Sequence, residues 1–254
     1  MSQRVETFLE DSFATNQRIK SIDAKVTDIL NVQGNRDWKA YYVELDAVLK
    51  KDDRHVNQKM LWYSDGKLIT KEIYSLESGR DMKDLVLLTF KSEYYNEANL
   101  IYGNKNAKHK VAIFSDPLCP FCREFVPEAL EHMKKEPGKY AVYYYHFPLE
   151  SLHPAAVVLV KAAVALELKG KKDVVLNLYK VKVDPKEKSN EKILAEFNKV
   201  MNSDIKISDI SSKKVLEHLE NDLQVAQMMI VNSTPTMFFD GKVDKTKNRY
   251  KEAK

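Results

Sequence analysis

FSDPLCPFCREF, residues 114–125, holds the only two cysteines of the 254-residue chain, with two residues between them. VAIFS (111–115) is a short apolar run of the buried-strand type, and REFVPEALEHMKKE continues past the cysteines with helical spacing until Pro137 and Gly138 stop it. KYAVYYYHFPL (139–149) reads as a second strand, so the cysteines fall where a strand gives way to a helix. That position has a chemical meaning. A thiolate, not a thiol, attacks a disulfide, and the unpaired N–H groups and positive dipole end of a helix start favour negative charge on a sulfur. Cys122 follows Cys119 by one turn, near enough to resolve a mixed disulfide formed there, and Pro120 suits a first helical position because its missing N–H would have no partner.

Two other uses of a cysteine pair fit less well. Structural zinc takes four ligands, but there is no second C-x-x-C, and the six histidines (His55, His109, His132, His146, His153, His218) include no pair at ligand spacing. A disulfide closing so short a loop removes little chain entropy, and a chain of this length buries a core without staples. The expectation is redox chemistry with no metal and no cofactor. A composition of 44% hydrophobic and 31% charged residues with a formal charge of +4 is that of an ordinary globular protein, and the lysines are dispersed, so no nucleic-acid partner is expected. The longest apolar segment, AAVVLVKAAVALEL (155–168), carries Lys161 and Glu167 and is no membrane span. The first twenty residues lack the basic start, apolar run and cleavage site of a secretory signal, as would a chain whose signal had been removed.

Outward from this centre, Val5, Phe8, Leu9, Ile19, Ile22, Val26, Ile29 and Leu30 recur at helical steps up to a stop at 31–37. WKAYYVELDAVLK (38–50), QKMLWYS (58–64) and KLITKEIYSL (67–76) read as antiparallel strands, the last two joined at Asp65-Gly66. Trp38, Trp62 and Tyr63 would pack in this meander or in a dimer seam. Residues 78–103 fit one connecting helix ended by Gly103. From 153 to 229 the spacing is almost wholly helical, with His153-Pro154 capping the first helix, and TPTMFFD and KVDK pair around Asp240-Gly241. Asp116 and Pro117 shape either the loop or the approach to Cys119, Tyr143 to Tyr145 belong to a central strand, and the lysine-rich tail forms a solvated face or a last helix. The domain reading is 1–78, a small N-terminal α+β domain; 79–107, a helical linker; and 108–254, with helices inserted at about 153–229.

This order of strand, C-P-F-C helix, strand, inserted helices and T-P before a hairpin resembles the thioredoxin fold of bacterial periplasmic Dsb thiol:disulfide interchange proteins, over about residues 110–254. FSDPLCPFCREF looks most like the DsbC/DsbG branch, and LWYSDGKLITKEIYSL with its connector is similar to that branch's dimerisation domain and linker. The expected fold class is therefore α/β (α+β), a thioredoxin fold with an inserted helical subdomain behind a small α+β dimerisation domain. The resemblance implies Cys119 as the exposed attacking cysteine, Cys122 as the buried resolving one, and a cis Pro235 facing the pair. Thr234 would pair through its backbone with an extended substrate, with Pro120, Phe121 and Pro235 completing the substrate surface.

The same resemblance implies a homodimer with a shared cleft, unfolded or misoxidised secreted proteins as substrates, a Dsb-type membrane redox partner and a periplasmic location. HPAAVVLVKAAVALE and the long insertion are similar to the DsbA-like oxidase branch. Phe121 stands where strongly oxidising members carry histidine, which points to a milder oxidant. Ile113 replaces an acid that some thioredoxin-like proteins bury, so proton transfer to Cys122 requires water or another group. Disulfide formation or rearrangement in secreted proteins, monomeric DsbA-like oxidation, and a holdase with secondary redox activity all remain open at this level.

Overall fold

The computed structural model describes residues 1–32, 34–79, 81–86 and 88–253, with the side chains of all of these except Asp84 and Leu85. The chain divides into two units, Met1–Leu88 and Thr89–Lys254.

In the first unit, helix α1 (Ser2–Ala14) is followed by strands β1 (Ile19–Asn31), β2 (Lys39–Leu49), β3 (His55–Ser64) and β4 (Ile69–Thr70), an antiparallel meander in sequence order. Helical spacing across 5–30 therefore spans one helix and one long strand. Ala24 is the buried residue of β1, and register shifts at Ile19/Ser21 and Val26/Asp28 interrupt the pairing and carry Asp28 to the Tyr42 face, so the large apolar residues that remain imitate a helix. Val5 and Leu9 of α1 pack with Ala24, Tyr41, Val43 and Trp62, while Tyr63 joins Val32, Ala40, Met82 and Val86 in a second cluster. The Glu10 carboxylate accepts the Ala24 N–H at 3.0 Å and the Glu6 carboxylate accepts that of Val26 at 2.8 Å. These two side chains satisfy outward N–H groups of β1 that would otherwise template another strand.

Among the described residues of 78–103 the expected continuous helix is not found. In its place are three short 3-10 turns (Met82–Leu85, Ser92–Tyr94, Glu97–Asn99) and strand β5 (Leu100–Tyr102). Side chains explain the breaks: Asp81 and Asn96 each accept a backbone N–H two residues on, the local bonding that competes with a continuous helix. Gly103 has φ +82, and a Cβ there would lie 1.9 Å from the Tyr140 carbonyl oxygen, so the turn after β5 requires glycine.

The second unit is built on a sheet of order β5-β7-β6-β8-β9, formed with β6 (His109–Ser115), β7 (Tyr140–His146), β8 (Thr236–Phe239) and β9 (Lys242–Val243). β6 and β7 are parallel, joined through helix α2 (Pro120–Lys134), and β8 returns antiparallel to β6. Between β7 and β8 run α3 (Pro154–Leu168), α4 (Val174–Leu178), α5 (Asn190–Met201), α6 (Ile207–Ile210) and α7 (Lys213–Met228), and α8 (Arg249–Glu252) follows β9. α3 is apolar nearly all round because helices cover it on several sides: nine of its residues are buried. No described helix is long and apolar enough to cross a membrane. Alternation along β6 turns Val111, Ile113 and Ser115 to the face covered by α2, and Phe114 to the other, where it stacks on Tyr145 at 4.6 Å.

Candidate functional site

Cys119 is the last extended residue before α2, with φ −66 and ψ 124, and Pro120 begins the helix. The carboxyl group of Asp116 organises this junction. Its Oδ1 accepts the N–H groups of Leu118 and Cys119 at 2.7 and 3.1 Å. Its Oδ2 accepts the Leu149 N–H at 2.7 Å and lies 3.0 Å from His153 Nδ1. Asp116 is wholly buried, so it joins the cysteine loop to the 149–153 segment from inside. His153 does occupy the cap position of α3, but its ring makes no cap bond and turns to Asp116 instead. Arg123 ties the loop from the other side, donating to the Pro117 and Val181 carbonyls at 3.0 Å each.

Both cysteines are free thiols. Cys119 retains 5% of its surface and Cys122 none, so the exposure expected of Cys119 is not found; the Asp116 bonds draw its backbone inward and its sulfur lies 3.7 Å from the Thr234 carbonyl oxygen. Burial pushes the Cys122 thiol up to about 12. The nearby hydroxyls of Ser115 and Thr234 and the Asp116 backbone oppose that rise, while the Cys119 sulfur adds to it. Thr234 Oγ1 itself is buried with no formed hydrogen bond, so its effect on the sulfur is the weaker one of a nearby dipole.

The Thr234–Pro235 peptide is cis. Thr234, Pro235 and Phe121 line one groove of about 440 Å³ with Phe125 and Tyr250, and Pro120 is exposed beside it. Phe121 is 72% exposed, an unusual placement for a large apolar ring and one suited to contact with another molecule. The residues selected from sequence, Cys119, Cys122, Thr234, Pro235, Pro120 and Phe121, thus come together at one end of the sheet.

A strand leading to a C-x-x-C helix start, with a Thr-Pro turn against the first sulfur, is the arrangement of the thioredoxin fold, and the sequence pattern of the family described as Thioredoxin matches residues 95–254. The chain belongs to the thioredoxin family. It is also 29% identical over 151 residues to the Na(+)/H(+) antiporter NhaA 1 of Mycolicibacterium gilvum (strain PYR-GCK), covering 58% of this chain and 24% of the antiporter. The chain thus spans about a quarter of the length of the curated relatives it matches. Among solved structures, oxidised BdbD from Bacillus subtilis is similar at a TM-score of 0.51 with 18% identity, covering 65% of this chain and 92% of BdbD. The thiol-disulfide exchange protein alpha-DsbA2 from Wolbachia pipientis gives the same TM-score, identity and coverage. At such identities the likeness is one of fold.

Sequence reading missed several residues around the pair. The Ser115 and Tyr179 hydroxyls are 2.7 Å apart, as are those of Tyr179 and Tyr144, and all three residues are buried. No local signal marks them, because Tyr179 lies 64 positions from Ser115. A second polar cluster sits at the end of β7. Asp222 accepts from Asn99 Nδ2 at 2.6 Å and from the His146 N–H at 2.8 Å; His218 Nε2 lies 3.7 Å from Asp222, and Glu167 3.6 Å from His146 Nε2. Among the described residues no group of three or more His, Cys, Asp or Glu is placed to hold a metal ion.

That cluster sets a pH dependence of stability. Burial pushes Asp222 up to about 7, against the pull of His146 and of its N–H donors. Burial and the charge of His146 push His218 down to about 4. His146 is raised: burial opposes its charge, but Glu167 and Asp222 outweigh it. Between the ordinary carboxylate range and about pH 7 the folded chain holds a proton on Asp222 that the unfolded chain has lost, so this group's contribution falls as pH rises. The contribution of His218 rises over pH 4 to 6.5, where the unfolded chain binds the extra proton, and partly masks that fall. Asp222→Asn is expected to remove the falling component, so that its stability relative to the parent climbs between pH 4 and 7 by at most about 1.4 kcal/mol per pH unit. Denaturant titrations across that range measure it, and a pH-independent difference would refute the assignment.

Proposed function

We propose that the chain is a thiol:disulfide oxidoreductase acting through Cys119 and Cys122 on secreted proteins in the periplasm. The observation that carries this reading is the placement of Cys119 at the start of α2, 3.7 Å from the Thr234 carbonyl, with Cys122 fully buried behind it. A substrate disulfide accepts the electron pair of the Cys119 sulfur, forming a Cys119–substrate disulfide and expelling a substrate thiolate; Cys122 then attacks Cys119 and releases the second substrate sulfur. In the oxidising direction the steps reverse, and a substrate thiolate opens the Cys119–Cys122 disulfide. An extended segment lying across the groove of Phe121, Phe125 and Pro235 pairs with the Thr234 backbone, while Pro120 borders it.

Unfolded or misoxidised proteins are the substrates, and a Dsb-type membrane partner sets the direction by resupplying or withdrawing electrons. The homodimer belongs to the same proposal. Because Glu6 and Glu10 already satisfy N–H groups of β1, a second copy would meet this unit away from that stretch.

The test uses the full chain in a glutathione buffer. Catalysis of insulin reduction and recovery of activity from scrambled ribonuclease are expected; recovery without added oxidant marks isomerisation, and oxidation of reduced ribonuclease alone marks an oxidase. A chain inert in all three assays overturns the reading.

A further inference from the structure

The groove beside the redox pair has two walls of opposite charge. Phe121, Glu124, Phe125 and Glu128 of α2 form one wall, and Lys247, Tyr250 and Lys251 contribute to the other. Steps of three and four residues put Phe121, Glu124 and Glu128 on one face of α2, with Phe121 beside the cysteines. The second wall is fixed from beneath by Asp244, which is 2% exposed. Its carboxylate accepts the Thr246 hydroxyl at 2.8 Å and the N–H groups of Lys247 and Arg249 at 3.0 and 2.9 Å. Tyr140 adds a hydrogen bond from its hydroxyl to the Tyr250 carbonyl at 2.6 Å.

The four charges are not used alike. Glu128 and Lys251 meet each other in an ion pair at 2.7 Å. Glu124, one turn nearer the cysteines, and Lys247 take part in no ion pair and no side-chain hydrogen bond among the described residues, although both line the groove. Lys247 is half-buried even so. The fold thus satisfies one carboxylate and one ammonium group and leaves the other two unmatched. An extended peptide has the geometry to match both. Its successive side chains point to opposite sides, so a basic and an acidic residue standing next to each other present their charges to the two walls at once.

We propose that Glu124 and Lys247 determine substrate specificity: the groove takes an extended cysteine-containing segment with a basic and an acidic residue side by side, the basic side chain on Glu124 and the acidic one on Lys247. The same segment with the two residues exchanged meets like charges on both walls. Phe121 and Phe125 offer apolar surface to the uncharged residue beside the pair. The two charges act on capture and alignment of the segment, and the exchange of bonds stays with the sulfurs. The proposal rests on the reading of Cys119 and Cys122 as the redox pair.

The experiment uses the pre-oxidised full-length chain and unstructured peptides with one cysteine each. A Lys-Glu or a Glu-Lys pair stands before or after that cysteine, separated from it by one neutral residue, which makes four peptides. The peptide thiolate attacks the Cys119 sulfur, the Cys119–Cys122 bond breaks with its electron pair left on Cys122, and the new Cys119–peptide disulfide is trapped by acid and weighed. Each rate is divided by that of the same peptide with bis(2-hydroxyethyl) disulfide, which removes differences between the thiols themselves. On one side of the cysteine the two orders are expected to differ by about three- to tenfold, the effect of two exposed ion pairs gained or lost, and added salt shrinks the difference. Glu124→Lys combined with Lys247→Glu reverses the preferred order, whereas a general loosening of the fold slows all four peptides and reverses nothing. Glu124→Lys alone, at an exposed helix position, decides the matter if the double variant fails to fold, because it must weaken or invert the preference. Orders that agree within about twofold on both sides of the cysteine, or a preference unchanged in Glu124→Lys, overturn the charge reading while leaving the redox pair intact. A parent that none of the peptides opens removes the redox pair itself.

Discussion

Cys119→Ala is expected to reduce insulin reduction and ribonuclease rescue to the uncatalysed background, while Cys122→Ala accumulates mixed disulfides with its substrates. The asymmetry follows from placement. Cys119 precedes the N-terminus of α2 with 5% of its surface exposed and its sulfur 3.7 Å from the Thr234 carbonyl oxygen, whereas Cys122 has no exposed surface and is pushed up to about 12 by its burial. A substrate sulfur reaches Cys119 first, and without Cys122 the resulting bond waits for an external thiol. The two variants also separate the directions of chemistry. Shuffling a substrate's bonds needs one attacking sulfur that is later expelled by the substrate, so an isomerase retains part of its ribonuclease rescue in Cys122→Ala. Net oxidation or reduction needs both sulfurs, so an oxidase loses all of it. Non-reducing gels and mass spectrometry of the trapped species give the measurement; equal loss in both variants with no mixed disulfide would refute the assigned order of attack.

Much of this site was legible because its signals are local. Two cysteines with a proline between them, a preceding apolar run and a helix-spaced continuation are all inside residues 111–136, and Thr234-Pro235 announces itself as a proline at the head of β8. What stayed hidden depends on long separations. The partners of Asp116 in the 149–153 segment lie 33 and 37 positions away, and no composition or spacing rule marks an aspartate that will be buried. Tyr179 sits in KDVVLNLYKVK as one more apolar helix residue, and its link to Ser115 exists only after the insertion folds back over β6. The fold errors have a related origin. In β1 a small buried residue, Ala24, and the register shift between Val26 and Asp28 obscure the two-residue alternation, and across 78–103 local side-chain bonds at Asp81 and Asn96 divide a plausible helix into short turns.

Asp116→Ala is expected to be among the most destabilising single changes in the second unit, because one buried carboxyl group there serves three backbone N–H groups and a histidine. Each buried donor left without a partner costs about 1–3 kcal/mol, and water entering the vacated space recovers part of that. A net loss of about 3 kcal/mol is expected, or roughly 6–12 °C in melting temperature for a unit of this size. Asp116→Asn separates the two halves of the role. Its carbonyl oxygen still accepts from Leu118 and Cys119, while its amide N–H groups meet the Leu149 N–H, a donor facing a donor; His153 adapts by presenting Nδ1 as an acceptor. The loss in Asp116→Asn is then about 1–2 kcal/mol. Thermal unfolding measures the stability, and exchange kinetics on the same samples test the consequence for chemistry. Cys119 holds its position against Thr234 partly because its own N–H is pinned to Asp116, so exchange in Asp116→Ala should fall further than exchange in Asp116→Asn even at temperatures where both are fully folded. A stability change within about 0.5 kcal/mol for the alanine variant, the range of an ordinary surface substitution, would show that the buried carboxyl group does not organise the junction.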